Sequence, residues 1–169
     1  QVSVVSLGVA LAACLTFIYG YYIAGGILAQ ASSIIDGIDG DLAGLKNMTS
    51  AFGGFMDSIL DRYADALIIL GLTVWAAGDE ARTWVWLTGF WALAGTFAVT
   101  YTRARVESLP RNVFDRGIMS AASRDVRLLI VMVGALAGQG VVTLGILALL
   151  TNLVVLIRLF HVRRALKGT

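Results

Sequence analysis

The sequence contains few of the residues that crosslink, interrupt or charge a polypeptide. Its 169 residues include one cysteine, one proline and one histidine. A single cysteine excludes an intrachain disulfide, and Cys14 lies within an apolar run as a small packing residue. Charged residues make up 14% of the chain against 58% hydrophobic residues, and the mean hydropathy is +0.82. This balance excludes an ordinary soluble domain and is typical of a polytopic membrane protein.

Long apolar runs separated by short polar segments predict membrane-crossing helices. Each crossing needs roughly 20 residues, so the length accommodates about six. We therefore predict an all-α polytopic membrane protein with six transmembrane helices in one bundle, and residues 1–169 as one domain. The sequence starts at Gln1 rather than methionine, and we expect it to lack the N-terminal part of a longer chain. The predicted spans are 2–20, 22–43, 51–77, 83–101 with a helical continuation to 105, a fifth from 123, and 141–160.

Basic residues of the predicted loops and the C-terminus are concentrated on one side of the bundle, with Arg82 on the other. Because short cytoplasmic loops carry an excess of Lys and Arg, the concentrated side should face the cytoplasm. We expect the lipid bilayer to be a partner and nucleic acid not to be one. The residues on the predicted cytoplasmic side are Lys46, Arg103, Arg105, Arg111, Arg116, Arg124, Arg127, Arg163, Arg164 and Lys167.

Acidic residues cluster between the second and third predicted helices. Asp36 and Asp39 are three apart, whereas Asp57, Asp61 and Asp65 are each four apart and share one helix face. If the two helices meet, the first four of these carboxylates approach one point. Carboxylates within a membrane are costly unless they are paired or bind a cation. Oxygen ligands favour hard metals such as Mg²⁺, Mn²⁺ or Ca²⁺.

The spacing within this stretch is specific over 26 residues. It resembles the signature of the CDP-alcohol phosphotransferases, an integral-membrane family with the pattern D-x2-D-G-x2-A-R-x8-G-x3-D-x3-D. One of the eight fixed positions differs, because Gly44 stands where the family carries arginine. The runs ILDRYADALIILG and SRDVRLLI look most like archaeal and prokaryotic members of the inositol-phosphate type. The matching positions are Asp36, Asp39, Gly40, Ala43, Gly53, Asp57 and Asp61.

The resemblance implies a transferase that moves a substituted phosphoryl group from a CDP-linked donor to an alcohol and releases CMP. It implies Mg²⁺ or Mn²⁺, two per site, held by Asp36, Asp39, Asp57 and Asp61. Asp61 is also expected to be the general base that takes the acceptor's proton. The reaction belongs to phospholipid or polar phosphodiester biosynthesis. The resemblance further implies a homodimer in the cytoplasmic membrane of a prokaryote.

The donor site is expected to lie at the small residues of the signature. By resemblance, Gly40, Ala43 and Gly53 contact the CDP-linked donor, since small residues let backbone and nucleotide approach closely. Plain helix packing is the alternative interpretation. Glycine at position 44 cannot contact the donor phosphates as arginine would. Lys46 could substitute from the same turn, or donor affinity could be reduced.

Four arginines are predicted to bind the phosphate of a phosphorylated acceptor, such as inositol phosphate or glycerol phosphate. Arg124 and Arg127 are three apart at the start of the fifth helix and share a face. Guanidinium groups bind phosphate in bidentate fashion. Arg103 and Arg105 complete the predicted acceptor site. The alternative is that these charges only set orientation and contact lipid head groups. Asp65 is either a supporting residue of the site or the structural partner of a buried arginine.

Two other functions stay open on the residues alone. Intramembrane aspartates also serve cation transporters and channels, where they bind the transported ion. Glycines and carboxylates at phosphotransferase spacing, confined to one end of the bundle, argue against a transport pathway. The other alternative is a membrane assembly partner with an inert acidic site. CMP release separates the enzyme from both alternatives, and ion flux in proteoliposomes would identify a transporter.

Overall fold

We describe the chain from a computed structural model. It covers residues 2–45, 51–79, 82–107 and 122–167, with the backbone alone for residues 2, 38–45, 51, 107 and 167. These residues form six helices and no strand, in agreement with the predicted all-α class. The helices are α1 (Val2–Ile18), α2 (Tyr22–Leu45), α3 (Ala51–Ala77), α4 (Thr83–Glu107), α5 (Arg124–Leu136) and α6 (Gly140–Lys167).

Two tight reversals join neighbouring helices as antiparallel hairpins. Gly20 has φ +82° after α1, and Gly138 has φ +67° after α5. This left-handed conformation is open to glycine at little cost. In each case two backbone amides donate back to carbonyls of the last helical turn, as when Tyr21 N donates to Thr16 O and Gly20 N to Phe17 O. Glycine therefore ends both helices and turns the chain back.

Helix α3 lies at the centre of the packing. It contacts α1, α4 and α6, while α1 also packs on α2, α4 packs on α6, and α5 lies against α2 and α6. The buried core includes Phe17, Ile68, Leu72 and Leu144, with several alanines between them. Small side chains let the helix axes approach closely. The result is that the acidic faces of α2 and α3 and the N-terminus of α5 come to one end of the bundle.

The outer surface of the helices is rich in apolar side chains. Leu149 is 75% exposed, and Leu15, Phe90 and Leu153 also point outward. Among the described helices, Gly140–Leu166 is the one that is both long and apolar enough to cross a membrane by length and composition. Helix α5 has 13 residues, a rise of about 20 Å, compared with a hydrocarbon core of about 30 Å.

The Gly71→Ala change is expected to destabilise the bundle. A Cβ at Gly71 would lie 2.7 Å from Cα and 2.8 Å from the carbonyl oxygen of Cys14 on α1. Those are backbone atoms and cannot rotate away, so α3 would be pushed from α1 at a cost of about 1–3 kcal/mol. Thermal unfolding of the purified protein in detergent would measure the loss.

Gly8→Ala is the matched control for this change. A Cβ at Gly8 meets nothing within 4 Å, and alanine is the better helix former by roughly 0.5–1 kcal/mol. We expect this variant to be at least as stable as the parent. Equal melting temperatures for the two alanine variants would contradict the close approach of α1 and α3.

Candidate active site

Three carboxylates form a cluster where α2 meets α3. Asp36 comes from α2, and Asp57 and Asp61 come from successive turns of α3. One oxygen from each lies within 4.8 Å of the others, and all three side chains are half-buried. Three oxygen donors this close would repel one another without a positive charge between them. The arrangement suits a hard divalent cation, whose ligands are carboxylate oxygens.

Other residues of the predicted cation and donor site are only partly described. Gly53 lies one turn before Asp57 on α3 and is exposed. The other predicted ligand and the other predicted donor-site residues lie on α2, where the structure describes the backbone but not the side chains. Lys46 lies outside the described residues altogether. The positions on α2 are Asp39, Gly40, Ala43 and Gly44.

Arg124, the first residue of α5, places its guanidinium among these carboxylates. Its Nη1 lies 2.6 Å from Asp36 Oδ2 and 2.8 Å from Asp61 Oδ1. Its Nη2 donates to Ser32 Oγ at 3.3 Å, and its Nε lies 3.5 Å from Asp65 Oδ1. A single side chain therefore links α5 to α2 and α3. It supplies positive charge to the carboxylate cluster.

A buried ion pair lies one helical turn deeper. Arg127 Nη2 donates to Asp65 Oδ2 at 2.6 Å, and Nη1 donates to the Ala122 carbonyl at 2.7 Å. The two side chains are 5% and 2% exposed. Asp65 is therefore the partner of a buried arginine, which was one of the two roles predicted for it. It also contacts Arg124, so one aspartate lies against two neighbouring guanidinium groups.

A cavity of about 350 Å³ opens beside the carboxylate cluster. Asp61 lies at its boundary, and it contains three of the four arginines predicted to bind the acceptor. Arg105 does not line it and contributes instead to a separate cavity between α4 and α6. The reason is helical spacing, because residues two apart on α4 project about 200° apart. The lining residues are Ser58, Asp61, Arg62, Val99, Thr100, Arg103, Ala104, Ala122, Ser123, Arg124 and Arg127.

Sequence reasoning missed two polar features near this site. Ser32, which accepts from Arg124, also lies 3.3 Å from Ser6 Oγ, and Ser33 donates to Asp125 at 2.5 Å. A serine within an apolar helix gives little indication in the sequence that it will form a hydrogen bond to another helix. Arg158 of α6 is buried and donates to the Val99 carbonyl and to Thr102 Oγ1. Its position as an isolated charge in a long apolar run could have predicted that Arg158 faces the interior of the bundle.

The chain is thus an all-helical bundle in which an acidic cluster lies beside an arginine-lined cavity. Residues 2–161 match the CDP-alcohol phosphatidyltransferase family. The chain belongs to this family. The resemblance read from the signature is thereby confirmed at the level of the family, with Gly44 as its departure from the pattern.

Several named proteins are similar to this chain. It is 38% identical over 164 residues to the bifunctional IPC transferase and DIPP synthase of Rubrobacter xylanophilus, covering 97% of this chain and 37% of that protein. It is 42% identical over 133 residues to the archaetidylinositol phosphate synthase of Methanothermobacter thermautotrophicus, covering 77% of this chain and 62% of that protein. The chain therefore spans less than two thirds of the length of either relative.

The fold is similar to that of the Mycobacterium tuberculosis phosphatidylinositol phosphate synthase. The apo form of that protein aligns with a TM-score of 0.78 at 26% identity, covering 96% of this chain and 87% of that one. Its form with CDP-DAG bound gives 0.75 at 23% identity, covering 95% and 84%. Its complex with manganese and citrate gives 0.73 at 23% identity, covering 96% and 80%. These likenesses establish the helical arrangement.

Proposed function

We propose that this chain transfers a substituted phosphoryl group from a CDP-linked donor to a phosphorylated alcohol and releases CMP. The observation that carries the proposal is the position of the carboxylate cluster, which opens directly onto the arginine-lined cavity through Asp61. One side of this arrangement suits a cation and a pyrophosphate, and the other suits a second phosphate. Few functions other than transfer between two phosphate-bearing substrates need both.

The acceptor is proposed to be a polyol phosphate such as inositol phosphate or glycerol phosphate. Arg103 and Arg124 line the cavity with donors suited to a phosphate group. A relative that is 42% identical bears the name archaetidylinositol phosphate synthase, which supports an inositol phosphate. We propose CDP-archaeol, CDP-diacylglycerol or CDP-inositol as the donor, bound beside Gly53 and the last turns of α2.

The residues present fit the cation that the family implies. Asp36, Asp57 and Asp61 offer three carboxylate oxygens within 4.8 Å of one another, and hard oxygen donors suit Mg²⁺ or Mn²⁺. We propose these three residues and Asp39 as the ligands of two such ions. When bound, the ions would neutralise the charge of the pyrophosphate and of the departing CMP.

The remaining chemistry is assigned to side chains of this chain. Arg103 and Arg124 hold the acceptor's phosphate, which places its hydroxyl near Asp61 at the cavity boundary. Asp61 takes the hydroxyl proton as the oxygen forms a bond to the donor phosphorus distal to cytidine. The bond from that phosphorus to the bridging oxygen breaks, and CMP leaves with the electron pair. Positioning and charge neutralisation account for most of the catalysis in such transfers.

We further propose that the six helices form one bundle in the cytoplasmic membrane of a prokaryote, with residues 1–169 as one domain. The outward apolar side chains of α1, α4 and α6 support a lipid environment. Helix α5 begins at Arg124, whose guanidinium contacts Asp61 of α3, and we propose that it crosses only part of the hydrocarbon core. The excess of basic residues on one side of the predicted bundle supports a cytoplasmic position for the site. The implied homodimer belongs to this proposal, and mass measurement in detergent would test it.

The deciding experiment is CMP release from the purified protein with Mg²⁺ or Mn²⁺. CDP-diacylglycerol, CDP-archaeol and CDP-inositol are offered in turn against inositol phosphate, glycerol phosphate and the free alcohols. We expect release with a phosphorylated acceptor, its abolition by EDTA, and its recovery on adding Mn²⁺. Asp57→Ala should lower the rate of CMP release by about a hundredfold or more, because it removes one carboxylate of the cluster.

Asp79→Ala is the matched control, since Asp79 lies after α3 at the opposite end of that helix from the cluster. It should retain full release. Absence of release from every pair of substrates, with Mn²⁺ still bound, would overturn the proposal. Cation flux in proteoliposomes under those conditions would instead support a transporter.

A further inference from the structure

One nitrogen of Arg124 lies against two of the three carboxylates in the cluster. Nη1 is 2.6 Å from Asp36 Oδ2 and 2.8 Å from Asp61 Oδ1. The same two side chains belong to the group whose oxygens suit a divalent cation. The guanidinium therefore neutralises the carboxylates that the cation would bind.

We propose that Arg124 and the divalent cation compete for Asp36 and Asp61, so that cation binding releases Arg124 to bind the acceptor's phosphate. This inference rests on the proposed function and adds an order of binding, in which the cation binds before the acceptor's phosphate. Without the cation, the acceptor site is incomplete because its guanidinium is engaged elsewhere. With the cation, Nη1 of the same side chain is released from Asp36 and Asp61 and can turn toward the cavity.

Competition follows from charge and from the number of available oxygens. Asp36 and Asp61 would hold the cation through the oxygens that accept from Nη1, which would make those oxygens weaker acceptors. Two positive charges would also lie close to the guanidinium, and like charges repel strongly where water is scarce. Arg124 is only 12% exposed and Asp61 is 18% exposed, so screening by water is limited. Both effects weaken the ion pair.

The structure also provides a place for the released guanidinium. Arg124 lines the 350 Å³ cavity, and its Nε lies 3.5 Å from Asp65 Oδ1, outside the carboxylate cluster. Asp65 is itself fixed by Arg127. The inner part of the side chain can therefore stay in place while Nη1 turns from the carboxylates toward the cavity. A phosphate there would receive two parallel donors.

Thermodynamic linkage makes this testable without turnover. If the cation frees Arg124 for phosphate, then phosphate must in turn strengthen cation binding by the same factor. Mn²⁺ affinity is measured on the full chain without a CDP-linked donor, by electron paramagnetic resonance of the free ion. The parent is compared with Arg124→Gln and Arg124→Lys, each with and without glycerol phosphate.

We expect Arg124→Gln to bind Mn²⁺ about tenfold more tightly than the parent, a factor that corresponds to about 1.4 kcal/mol. Arg124→Lys should fall between them, because lysine keeps the charge but is a single compact donor group that cannot match the guanidinium's contacts. Glycerol phosphate should tighten Mn²⁺ binding to the parent and have little effect on Arg124→Gln. Arg163→Gln removes an exposed charge at the end of α6 and should behave as the parent.

Three results would overturn the competition. The first is Mn²⁺ affinity that is unchanged or weaker in Arg124→Gln. The second is an Arg124→Lys variant equal to the parent beside a tighter Arg124→Gln, which would reduce the effect to net charge. The third, which needs no variant to fold, is a parent protein whose Mn²⁺ affinity does not respond to glycerol phosphate. A parent that binds no Mn²⁺ would instead remove the proposed cation site itself.

Discussion

Asp61→Asn should lower the rate of CMP release by about a thousandfold while leaving Mn²⁺ binding partly intact. Asp61 both belongs to the carboxylate cluster and lines the arginine cavity. Asparagine keeps the size and one oxygen of the side chain but cannot accept a proton from the acceptor hydroxyl. General-base catalysis contributes roughly 10²–10⁴-fold to a rate. Single-turnover CMP release at saturating substrates would measure the loss.

Mn²⁺ binding separates the two roles proposed for Asp61. If its main role is that of the base, Asp61→Asn should retain more Mn²⁺ affinity than Asp57→Asn. An equal loss of Mn²⁺ from the two variants would assign Asp61 to cation binding alone. Full activity in Asp61→Asn would remove the base assignment altogether. Asp79→Asn makes the same chemical change at the far end of α3 and should leave both quantities unchanged.

Breaking the Asp65–Arg127 pair should cause the largest loss of stability in the bundle. The side chains are 2% and 5% exposed and their atoms are 2.6 Å apart. Asp65→Ala leaves the buried Arg127 guanidinium without its carboxylate, and Arg127→Met leaves the buried Asp65 carboxylate with only its longer contact to Arg124 Nε. Removing one partner of a buried pair costs roughly 3–5 kcal/mol, because the other charge stays out of water. Unfolding in detergent with increasing denaturant would measure each variant.

The double variant Asp65→Leu with Arg127→Met distinguishes an unpaired charge from lost packing. Two apolar side chains of similar volume remove both charges of the pair, so the double variant should be more stable than Asp65→Leu or Arg127→Met alone. Arg163→Met, at an exposed position near the end of α6, should change the stability little. Single variants within about 1 kcal/mol of the parent would contradict the buried pair. Asp65→Asn with normal stability but weaker acceptor binding would assign Asp65 to positioning Arg124.

The pair and the cluster together explain why the N-terminus of α5 is part of the site. Arg124 and Arg127 are three residues apart and both turn toward α3, where Asp61 and Asp65 are four apart. Two successive turns of α5 therefore match two successive turns of α3. The outer match has polar neighbours and is partly exposed at the cavity, whereas the inner match is buried, although Arg127 also lines the cavity. Chemistry is proposed at the first and stability at the second.

Local spacing in the sequence determined the helices and the acidic face. The predicted spans agree with the observed helices to within about two residues at most ends, and α6 continues to Lys167 beyond the predicted end at 160. The period of four in Asp57, Asp61 and Asp65 places them on one face without any knowledge of packing. The same rule separates Arg103 from Arg105, although both were predicted to bind one phosphate.

Only the tertiary structure decided which of these residues meet. Arg124 is 63 residues from Asp61 and 92 from Ser32, and no helical period reaches across such distances. Arg158 and the serines of α1 and α2 became part of a polar interior because small residues let the helices approach closely. Sequence spacing therefore determined which side chains share a helix face. Packing between helices determined that three aspartates share the guanidinium of Arg124, since those contacts depend on how α2, α3 and α5 come together.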